Sequence, residues 1–597
     1  MRLSLPVRSL SCYGLLAALV VFAPKFATAQ TPAAWQWGLQ TQNPTPTDGS
    51  LASGNQVATD AAGRVYVGGS FGEDPNGTAV ATRSLPGAGT LGPGRGGFVA
   101  QATAAGQWAW VTAARSLGAV GGGRARASVT SVAATTAGDV YATGYVEGSG
   151  VQVGGVTRQL GSAGRALFVA RLNSAGVCQW LQTADDFATL PTVALDPSTG
   201  GAVVAGTYRG TPGIGGTVLP PGTSPNGEAV FVARVSAAGQ WLSAVGATGS
   251  GGVISGLNMA VGPAGQVAIS SSRSGGTLTF GPYTLSTPAA YDETFVVAQL
   301  SPANQWQWAV GSTVDYSRTI GVAYTATGAL WVAGRGLGGT VVGPLTLGAP
   351  GGPGAPGTTT YSGFLGQLSP AGQWGTVRQF TPSAPGLAVF AALAVDAAGN
   401  ALATGALAGI NGAVQAQLGG ETLTAPNQGL LFFVAGLSAG GQLRYVAAVP
   451  PAVLRFGLTP AGIALDGNNG ALYLTGTFTG GLTLGPSQLT GSYASAGPTG
   501  GDVFVGKLAN AIALGSRPAA SAPTLAVFPS PAHEQATLRL STTTPATTAL
   551  LANALGRTVR TYVVAAYATT TTLDLTGLAP GLYVVRCGAA SAKLVVE

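Results

Sequence analysis

The chain is poor in charged residues and has a single histidine. Charged residues make up 8% of its 597 positions, against roughly 25% in a typical soluble domain. The histidine, His533, lies near the C-terminus. The rest of the chain therefore cannot use a Ser-His-Asp or Cys-His arrangement, or bind zinc through imidazole. Its arginines are scattered singly and form no basic stripe, which argues against nucleic-acid binding.

Cysteines and long apolar runs are also scarce. Cys178 and Cys587 lie far apart and predict no disulfide framework. No stretch after Phe26 approaches the ~20 apolar residues of a membrane-spanning helix. Residues 1–29 combine an arginine-containing start, an apolar run over 13–23 and a small-residue cleavage site at the end. This order predicts a secretory signal peptide.

One sequence unit recurs along most of the chain. A Phe-centred apolar cluster appears seven times, at intervals of 63 to 71 residues. Its first residues are Phe98, Phe168, Phe231, Phe295, Phe364, Phe433 and Phe504. Each cluster is built on Phe-Val-small-x-Leu, so that Phe and the residues two and four beyond it share a face, and a turn followed by a Trp or Leu strand comes after the first six. This pattern predicts a β-hairpin.

A second hairpin precedes each Phe cluster, as in VATDAAGRVYVGG around Asp60. Two hairpins make four strands in a unit of about 70 residues. Four-stranded sheets repeated in this way are typical of a β-propeller. We therefore predict an all-β chain with a seven-bladed β-propeller over residues 30–510. Because Phe504 lacks a following Trp strand, we expect the unmatched strand at Trp35–Trp37 to complete the last blade.

The motif D-x-x-G-[NR]-x-[YA], followed by T-G or G-G, resembles the SBBP family of bacterial propeller repeats. It stands around Asp60, with degenerate copies around Asp396 and elsewhere, and the resemblance covers roughly residues 33–508. It implies a fold and no particular chemistry.

The composition changes after Pro518, and a linker over 511–523 separates the repeats from residues 524–597. Several short strand-like runs predict a small immunoglobulin-like β-sandwich there. The segment resembles the C-terminal sorting domain of type IX secretion substrates from Bacteroidota. The residues that carry this resemblance are Phe528–Ala532, Leu555–Arg557, Leu573–Leu578, Pro580–Tyr583 and Lys593–Glu597. The resemblance implies export across the outer membrane, with the type IX machinery as partner, and removal of this domain.

Repeated aspartates occupy equivalent hairpin positions, at Asp60, Asp196, Asp396 and Asp466. We expect each carboxylate to accept hydrogen bonds from backbone N–H groups of its own turn. Calcium binding is the more specific alternative for these aspartates, although each turn offers one carboxylate where a calcium site needs several oxygen ligands. Glu228, Asp292 and Asp502 precede their Phe strands and are also interpreted as repeat features.

Six other acids do not follow the repeat. They are Glu73, Asp74, Glu147, Asp185, Asp186 and Asp315. Two of them meeting at a separation of about 5–10 Å would form a glycosidase-like pair, and solvated loop charges are the plainer interpretation. Two G-x-S-x-G matches, at Gly68–Gly72 and Gly436–Gly440, fall within repeat hairpins, where a nucleophile elbow is not expected.

The recurring tryptophans could stack on sugars or pack between blades. Trp108, Trp180, Trp241, Trp306 and Trp374 are assigned to one repeat position, which favours packing. We assign no catalytic, cofactor or metal residue. We expect a secreted or cell-surface binding scaffold, not an enzyme, with an extracellular glycan or protein as ligand. The alternatives are a carbohydrate-active hydrolase or lyase that uses propeller carboxylates, and a passive structural component.

Overall fold

A computed structural model describes the chain from residue 33 to residue 597. The described part omits residues 44–50, 74–81, 93, 119–124, 188–190, 223–227, 251, 288–292, 313–316, 349–359, 410–411, 428, 450–458, 492–500, 512–524, 541–546, 554–556, 566–567 and 588–589. The segment predicted as a signal peptide, Asp74, Asp292, Asp315 and most of the linker therefore lie outside the described residues. The described elements are all β-strands, which confirms the predicted all-β class. No helix in the described residues is long and apolar enough to cross a membrane.

Units of antiparallel strands follow one another along residues 34–509, after β1 (Ala34–Gln40). The first two units contain β2 (Leu51–Thr59), β3 (Val65–Glu73), β4 (Arg83–Leu85), β5 (Gly89–Leu91), β6 (Gly96–Ala102) and β7 (Trp108–Ser116), then β8 (Arg126–Ala134), β9 (Val140–Val153), β10 (Val156–Leu172) and β11 (Cys178–Asp185). The third contains β12 (Thr192–Leu195), β13 (Ala202–Tyr208), β14 (Gly213–Ile214), β15 (Thr217–Val218), β16 (Ala229–Val235) and β17 (Trp241–Gly246).

The later units have the same plan. The fourth contains β18 (Thr248–Ser250), β19 (Val253–Val261), β20 (Val267–Ser274), β21 (Thr277–Phe280), β22 (Tyr283–Ser286), β23 (Glu293–Leu300) and β24 (Trp306–Gly311). The fifth contains β25 (Arg318–Tyr324), β26 (Leu330–Leu337), β27 (Val341–Val342), β28 (Leu345–Thr346), β29 (Tyr361–Leu368) and β30 (Trp374–Pro382). The sixth and seventh contain β31 (Gly386–Val395), β32 (Ala401–Gly409), β33 (Val414–Leu418), β34 (Glu421–Ala425), β35 (Leu430–Leu437) and β36 (Leu443–Val449), then β37 (Thr459–Leu465), β38 (Leu472–Phe478), β39 (Gly481–Leu484), β40 (Ser487–Thr490) and β41 (Asp502–Ala509).

The N-terminal strand completes the seventh unit. Strand β1 pairs antiparallel with β41, so that Trp35 lies opposite Leu508 and Gln40 lies opposite Phe504. The sheet order is β1-β41-β38-β37. The predicted pairing of the Trp35–Trp37 strand with the last Phe strand is therefore confirmed.

Short hairpins between the second and third strands of the units were not predicted from the sequence. We call them accessory hairpins: β4–β5, β14–β15, β21–β22, β27–β28, β33–β34 and β39–β40, with the paired outer ends of β9 and β10 in the second unit. Their turns contain glycines with positive φ that lie against the fourth strand. At Gly343 (φ +57°), an added Cβ would lie 2.4 Å from Cβ of Trp374. The chain can pass this close to the Trp strand because glycine has no side chain.

The apolar core lies between neighbouring units. In the described residues, seven buried clusters each combine side chains from two consecutive units, and the seventh unit packs in this way against the first. In that last case Tyr473 and Val505 share a cluster with Val67 and Phe98. Third strands such as β16 are buried on both faces, because each unit has a neighbour on either side. The first strands also contact one another in cyclic order, with β37 against β2.

The strand register corrects one sequence assignment. Trp108 lies opposite Ala102 and Trp110 lies opposite Gln101. In the second unit Cys178 is opposite Leu172 and Trp180 is opposite Arg171. Trp180 therefore occupies the position of Trp110, and Cys178 takes the position assigned to Trp180.

The C-terminal segment forms two small sheets around a core of its own. Its strands are β42 (Leu525–Phe528), β43 (Gln535–Leu540), β44 (Thr547–Asn553), β45 (Thr558–Val564), β46 (Thr570–Asp574), β47 (Gly581–Cys587) and β48 (Ala590–Val596). They pair as β42-β43-β46 and β45-β44-β47-β48. Side chains from both sheets, among them Leu538 and Leu551, share one buried cluster. Two sheets packed over a common core have the architecture of the predicted β-sandwich.

Candidate functional site

The repeated aspartates are turn residues, as predicted. The Asp60 carboxylate accepts hydrogen bonds from the backbone N–H groups of Ala62 and Arg64, at 2.9 and 3.0 Å. Asp396 accepts equivalent bonds at 2.9 and 2.8 Å from the backbone of its own turn. In the same way Ser198 donates to Asp196, and Asn468 donates to Asp466. These bonds satisfy backbone donors that the tight turn leaves without a strand partner.

Other candidates also serve local structure. Ser70 of the first G-x-S-x-G match shares a hydrogen bond of 2.8 Å with Ser53, its neighbour on the adjacent strand β2. Ser438 of the second match accepts a bond from the backbone N–H of Gln442 in a hairpin turn. His533 is exposed in the C-terminal segment. Among the described residues, no group of three or more His, Cys, Asp or Glu is placed to hold a metal ion.

Trp110 and Trp180, which occupy equivalent positions on the fourth strands of their units, pack onto the next unit. The Trp180 indole N–H donates to the Ala237 carbonyl at 2.9 Å, and Trp110 donates to the Ser174 carbonyl at 3.0 Å. At Gly239 in the same turn as Ala237, an added Cβ would lie 2.8 Å from the Trp180 ring. These contacts agree with the packing interpretation.

Charged side chains gather at a cleft between the second and third units. A cavity of about 590 Å³ lies there, within the range of roughly 300–1,000 Å³ common for small-molecule sites. We call it the charged cleft. It is lined by Arg165, Asp186, Phe187, Arg209, Gly210, Thr211, Pro212 and Glu228. The two acids in this lining, Asp186 and Glu228, therefore share one cavity.

Cross-strand ion pairs orient the two arginines. Arg165 lies directly opposite Glu147 in the β9–β10 ladder, and its Nε donates to that carboxylate at 2.8 Å. Its guanidinium also lies 4.9 Å from the ring centre of Tyr145. Arg209 and Glu228 extend the β13–β16 ladder by one residue at its outer end, and Arg209 Nη2 donates to Glu228 at 2.7 Å.

Both oxygens of the Glu228 carboxylate accept hydrogen bonds from the protein. Its side chain is 4% exposed, against 52% for Arg209. Its second oxygen accepts the backbone N–H of Ile254 at 3.0 Å. Both carboxylate oxygens therefore already accept a hydrogen bond from the protein, whereas a general acid must hold a proton for a leaving group.

Asp186 contributes an exposed carboxylate to the cleft. Its φ of +65° is a left-handed conformation, which non-glycine residues adopt infrequently. The next residue, Phe187, is buried and packs edge-on against Phe231 at 4.7 Å between ring centres. In the described part of the chain, no donor is recorded for the Asp186 carboxylate. Asp185 points elsewhere and accepts the backbone N–H of Gly161 at 2.7 Å.

Tyr208 supports the opposite wall. Its hydroxyl lies 2.9 Å from the Pro220 carbonyl and 2.8 Å from that of Ala247. Burial raises the pKa of this tyrosine above its ordinary value, so the hydroxyl keeps its proton and donates. The residue therefore fixes the strand end from which Arg209 projects.

The sequence alone indicates only part of the charged cleft. Of the acids outside the repeat, Asp186 lines the cleft and Glu147 holds one of its arginines, whereas Asp185 does not line it. Glu228 stands at a repeat position, and Arg165 and Arg209 belong to no motif. Each arginine pairs with an acid on the neighbouring strand, 18 or 19 positions away in the chain. The residues next to each arginine in the sequence therefore do not indicate the ion pair. Of the remaining acids, Glu73 ends β3.

The comparisons with known proteins identify the C-terminal segment. Residues 526–597 match the family described as the secretion system C-terminal sorting domain. The predicted type IX sorting domain is thereby confirmed at this end of the chain. The domain implies export by type IX secretion and marks the protein as secreted or attached to the cell surface.

Solved structures show only distant likeness. A protein of unknown function from Dyadobacter fermentans is 10% identical over 79% of this chain and 98% of that chain, with a TM-score of 0.34. A family 32 glycoside hydrolase from Bifidobacterium adolescentis is 11% identical over 95% of both chains, with a TM-score of 0.24. A leech intramolecular trans-sialidase is 9% identical over 93% and 90%, with a TM-score of 0.19. No curated protein matches the sequence.

Proposed function

We propose that residues 34–509 form a seven-bladed β-propeller that acts as an extracellular binding scaffold. The observation that carries the architecture is the cyclic order of the buried clusters, in which the seventh unit packs on the first. Strand β1 supplies the fourth strand of the last blade. Ring closure by the chain's own terminus removes a free sheet edge, which would otherwise favour aggregation.

The charged cleft supports the binding role. Its arginines are held by ion pairs before any ligand arrives, so less conformational entropy is lost on binding. The sorting domain places the scaffold outside the cell or on its surface. The further elements of the proposal are a signal peptide over residues 1–29, blades of the SBBP type and a Bacteroidota source.

A carbohydrate-active hydrolase or lyase is the second candidate. It is favoured by one observation, that Asp186 and Glu228 line the same cavity. Against it, Glu228 is bound by Arg209 and by the backbone of Ile254, whereas a glycosidase needs one carboxyl group that is free to donate a proton. We therefore propose binding without turnover.

Purified protein without the sorting domain tests this proposal on a panel of polysaccharides and extracellular-matrix proteins. We expect retention on at least one surface, with no release of reducing sugar after long incubation. Heat-denatured protein and an unrelated exported β-sandwich of similar charge serve as controls. Release of reducing sugar that is abolished by Asp186→Asn would establish the hydrolase instead, and failure to bind any surface would contradict the scaffold.

A further inference from the structure

We infer that the charged cleft binds an uncharged carbohydrate by its vicinal hydroxyl groups. This inference rests on the proposed binding function and adds the ligand class and the residues that recognise it.

The concentration of charge at the cleft is unusual for this chain. Only 8% of all residues are charged, yet five charged side chains meet at or beside one cavity. They are Glu147, Arg165, Asp186, Arg209 and Glu228. Charged groups in a partly enclosed site lose hydration, so such an arrangement requires compensating partners. Two ion pairs supply part of that compensation, and a ligand can supply the rest.

The net charge of the lining excludes a strongly charged ligand. Two guanidinium groups and two carboxylates face the cavity, so their formal charges cancel. An anionic ligand would meet the exposed Asp186 carboxylate, and a cationic one would meet Arg165 and Arg209. A neutral ligand with both donors and acceptors avoids either conflict.

Sugar hydroxyls match the available hydrogen-bonding groups. A hydroxyl donates one hydrogen bond and accepts others, an ionised carboxylate only accepts, and a guanidinium only donates through five N–H groups. Arg209 uses Nη2 for Glu228 and is about half exposed, so other N–H groups remain for a ligand. Adjacent hydroxyls can thus donate to Asp186 and accept from the arginines.

The backbone at Asp186 has a left-handed conformation, which Asp and Asn adopt more readily than most non-glycine residues. The buried ring of the next residue, Phe187, packs against Phe231 and anchors this turn. The conformation presents a carboxylate that has no recorded partner in the described residues. A ligand hydroxyl would supply one.

Isothermal titration of the full propeller tests the inference with five tetrasaccharides. Cellotetraose, maltotetraose and mannotetraose are neutral, tetragalacturonate is anionic, and a glucosamine tetramer is cationic. We expect one neutral probe to bind best. Asp186→Asn and Arg165→Gln should each weaken its binding roughly tenfold, because each removes hydrogen bonds to a charged group. Asn tolerates positive φ, and Arg165 and Glu147 are both partly exposed, so both variants should fold.

Glu421→Gln is the matched control, because it removes a carboxylate from the accessory hairpin of the sixth unit. Circular dichroism of all variants verifies folding. Equal binding by wild type, control and both cleft variants would overturn the cleft as the site and leave the scaffold function standing. Preferential binding of tetragalacturonate or of the glucosamine tetramer would overturn the ligand class. A lack of binding to all five probes would overturn the inference, whereas the scaffold itself fails only if the broader surface panel is negative.

Discussion

The turn residue Asp196 takes part both in the hydrogen bonds of its own turn and in an ion pair with a neighbouring strand. Asp196 accepts bonds from Ser198 in its own turn, and it also accepts one from Arg234 Nη1 at 2.5 Å. The Asp196 side chain is fully buried and that of Arg234 is 6% exposed. Arg234 Nη2 also donates a hydrogen bond to the Gly265 carbonyl in the next unit, at 2.7 Å. The turn position was predictable from its repeated Asp, but the arginine, 38 residues away, was not.

The buried pair predicts a pH dependence of stability. Burial by itself would raise the pKa of Asp196, but the bonds from Ser198 and Arg234 outweigh it and place the pKa below its ordinary value. A carboxylate with a depressed folded-state pKa stabilises the fold above its unfolded pKa of roughly 3.9, and this contribution is lost as the pH falls through the folded-state pKa.

Asp196→Asn should therefore lower the free energy of unfolding by about 3 kcal/mol at pH 7, since it breaks a buried ion pair. The loss should shrink below about pH 4, where the wild-type contribution itself declines. Urea denaturation at pH 7 and pH 3 measures both quantities. Asp396→Asn is the control, because the described partners of the Asp396 carboxylate all lie in its own turn, including the Asn400 amide at 2.7 Å. Equal losses in the two variants at pH 7 would show that the arginine contributes little.

At the scale of elements, a hairpin turn of one unit is the packing surface for the next. Trp180 covers the turn that contains Gly239, whereas the turn at Gly200 in the same unit has open space around it. Both glycines have positive φ, +84° and +65°. The two positions therefore share a backbone requirement and differ in packing.

Alanine at the two positions separates these effects. Gly200→Ala should cost about 1–2 kcal/mol, the penalty for a left-handed non-glycine residue. Gly239→Ala should cost roughly 1–3 kcal/mol more, because its Cβ would lie 2.8 Å from the Trp180 ring and overpack the contact. Denaturant midpoints and slopes of the two variants test this difference. If the two variants are equally stable, the Trp contact has no packing role.

The main hairpins were predictable from the sequence and the accessory hairpins were not. Main strands such as β6 and β16 are seven-residue runs of mostly apolar and small residues. Accessory strands such as β14 and β27 have two residues each, too few to establish a period of two. They also lie in glycine- and proline-rich stretches, which are typical of loops. Their pairing depends on the adjacent Trp strand and is therefore a tertiary effect.

On the scale of the whole molecule, the repeated units and the sorting domain have separate cores. The cluster around Leu538 and Leu551 contains residues of the C-terminal segment alone. The repeated units bury their apolar residues among themselves, and the last unit packs on the first. Removal of the sorting domain should thus leave the fold of residues 34–509 intact.

Truncation after Pro518 should abolish export without unfolding the protein. In a host with a type IX system, the truncated chain should accumulate in the periplasm, while the full-length chain reaches the surface or the medium. Cell fractionation with immunoblotting measures the distribution, and protease resistance of the periplasmic pool reports folding. A His533→Ala full-length variant is the control, since His533 is exposed in the sorting domain. Appearance of the truncated chain outside the cell would contradict a required export role.

The sequence by itself determined the all-β class, the pairing of the N-terminal strand with the Phe504 strand, and the identity of the C-terminal sorting domain. These depend on periodicity, repetition and short motifs, which are visible in the order of residues along the chain. Only the tertiary structure brought Arg165, Asp186, Arg209 and Glu228 to one cavity. Their positions follow from strand register and from the packing of the second unit on the third, and no local pattern encodes contacts between strands of different units. Trp180 shows the same limit, because its register depends on the pairing of Cys178 with Leu172 across the ladder.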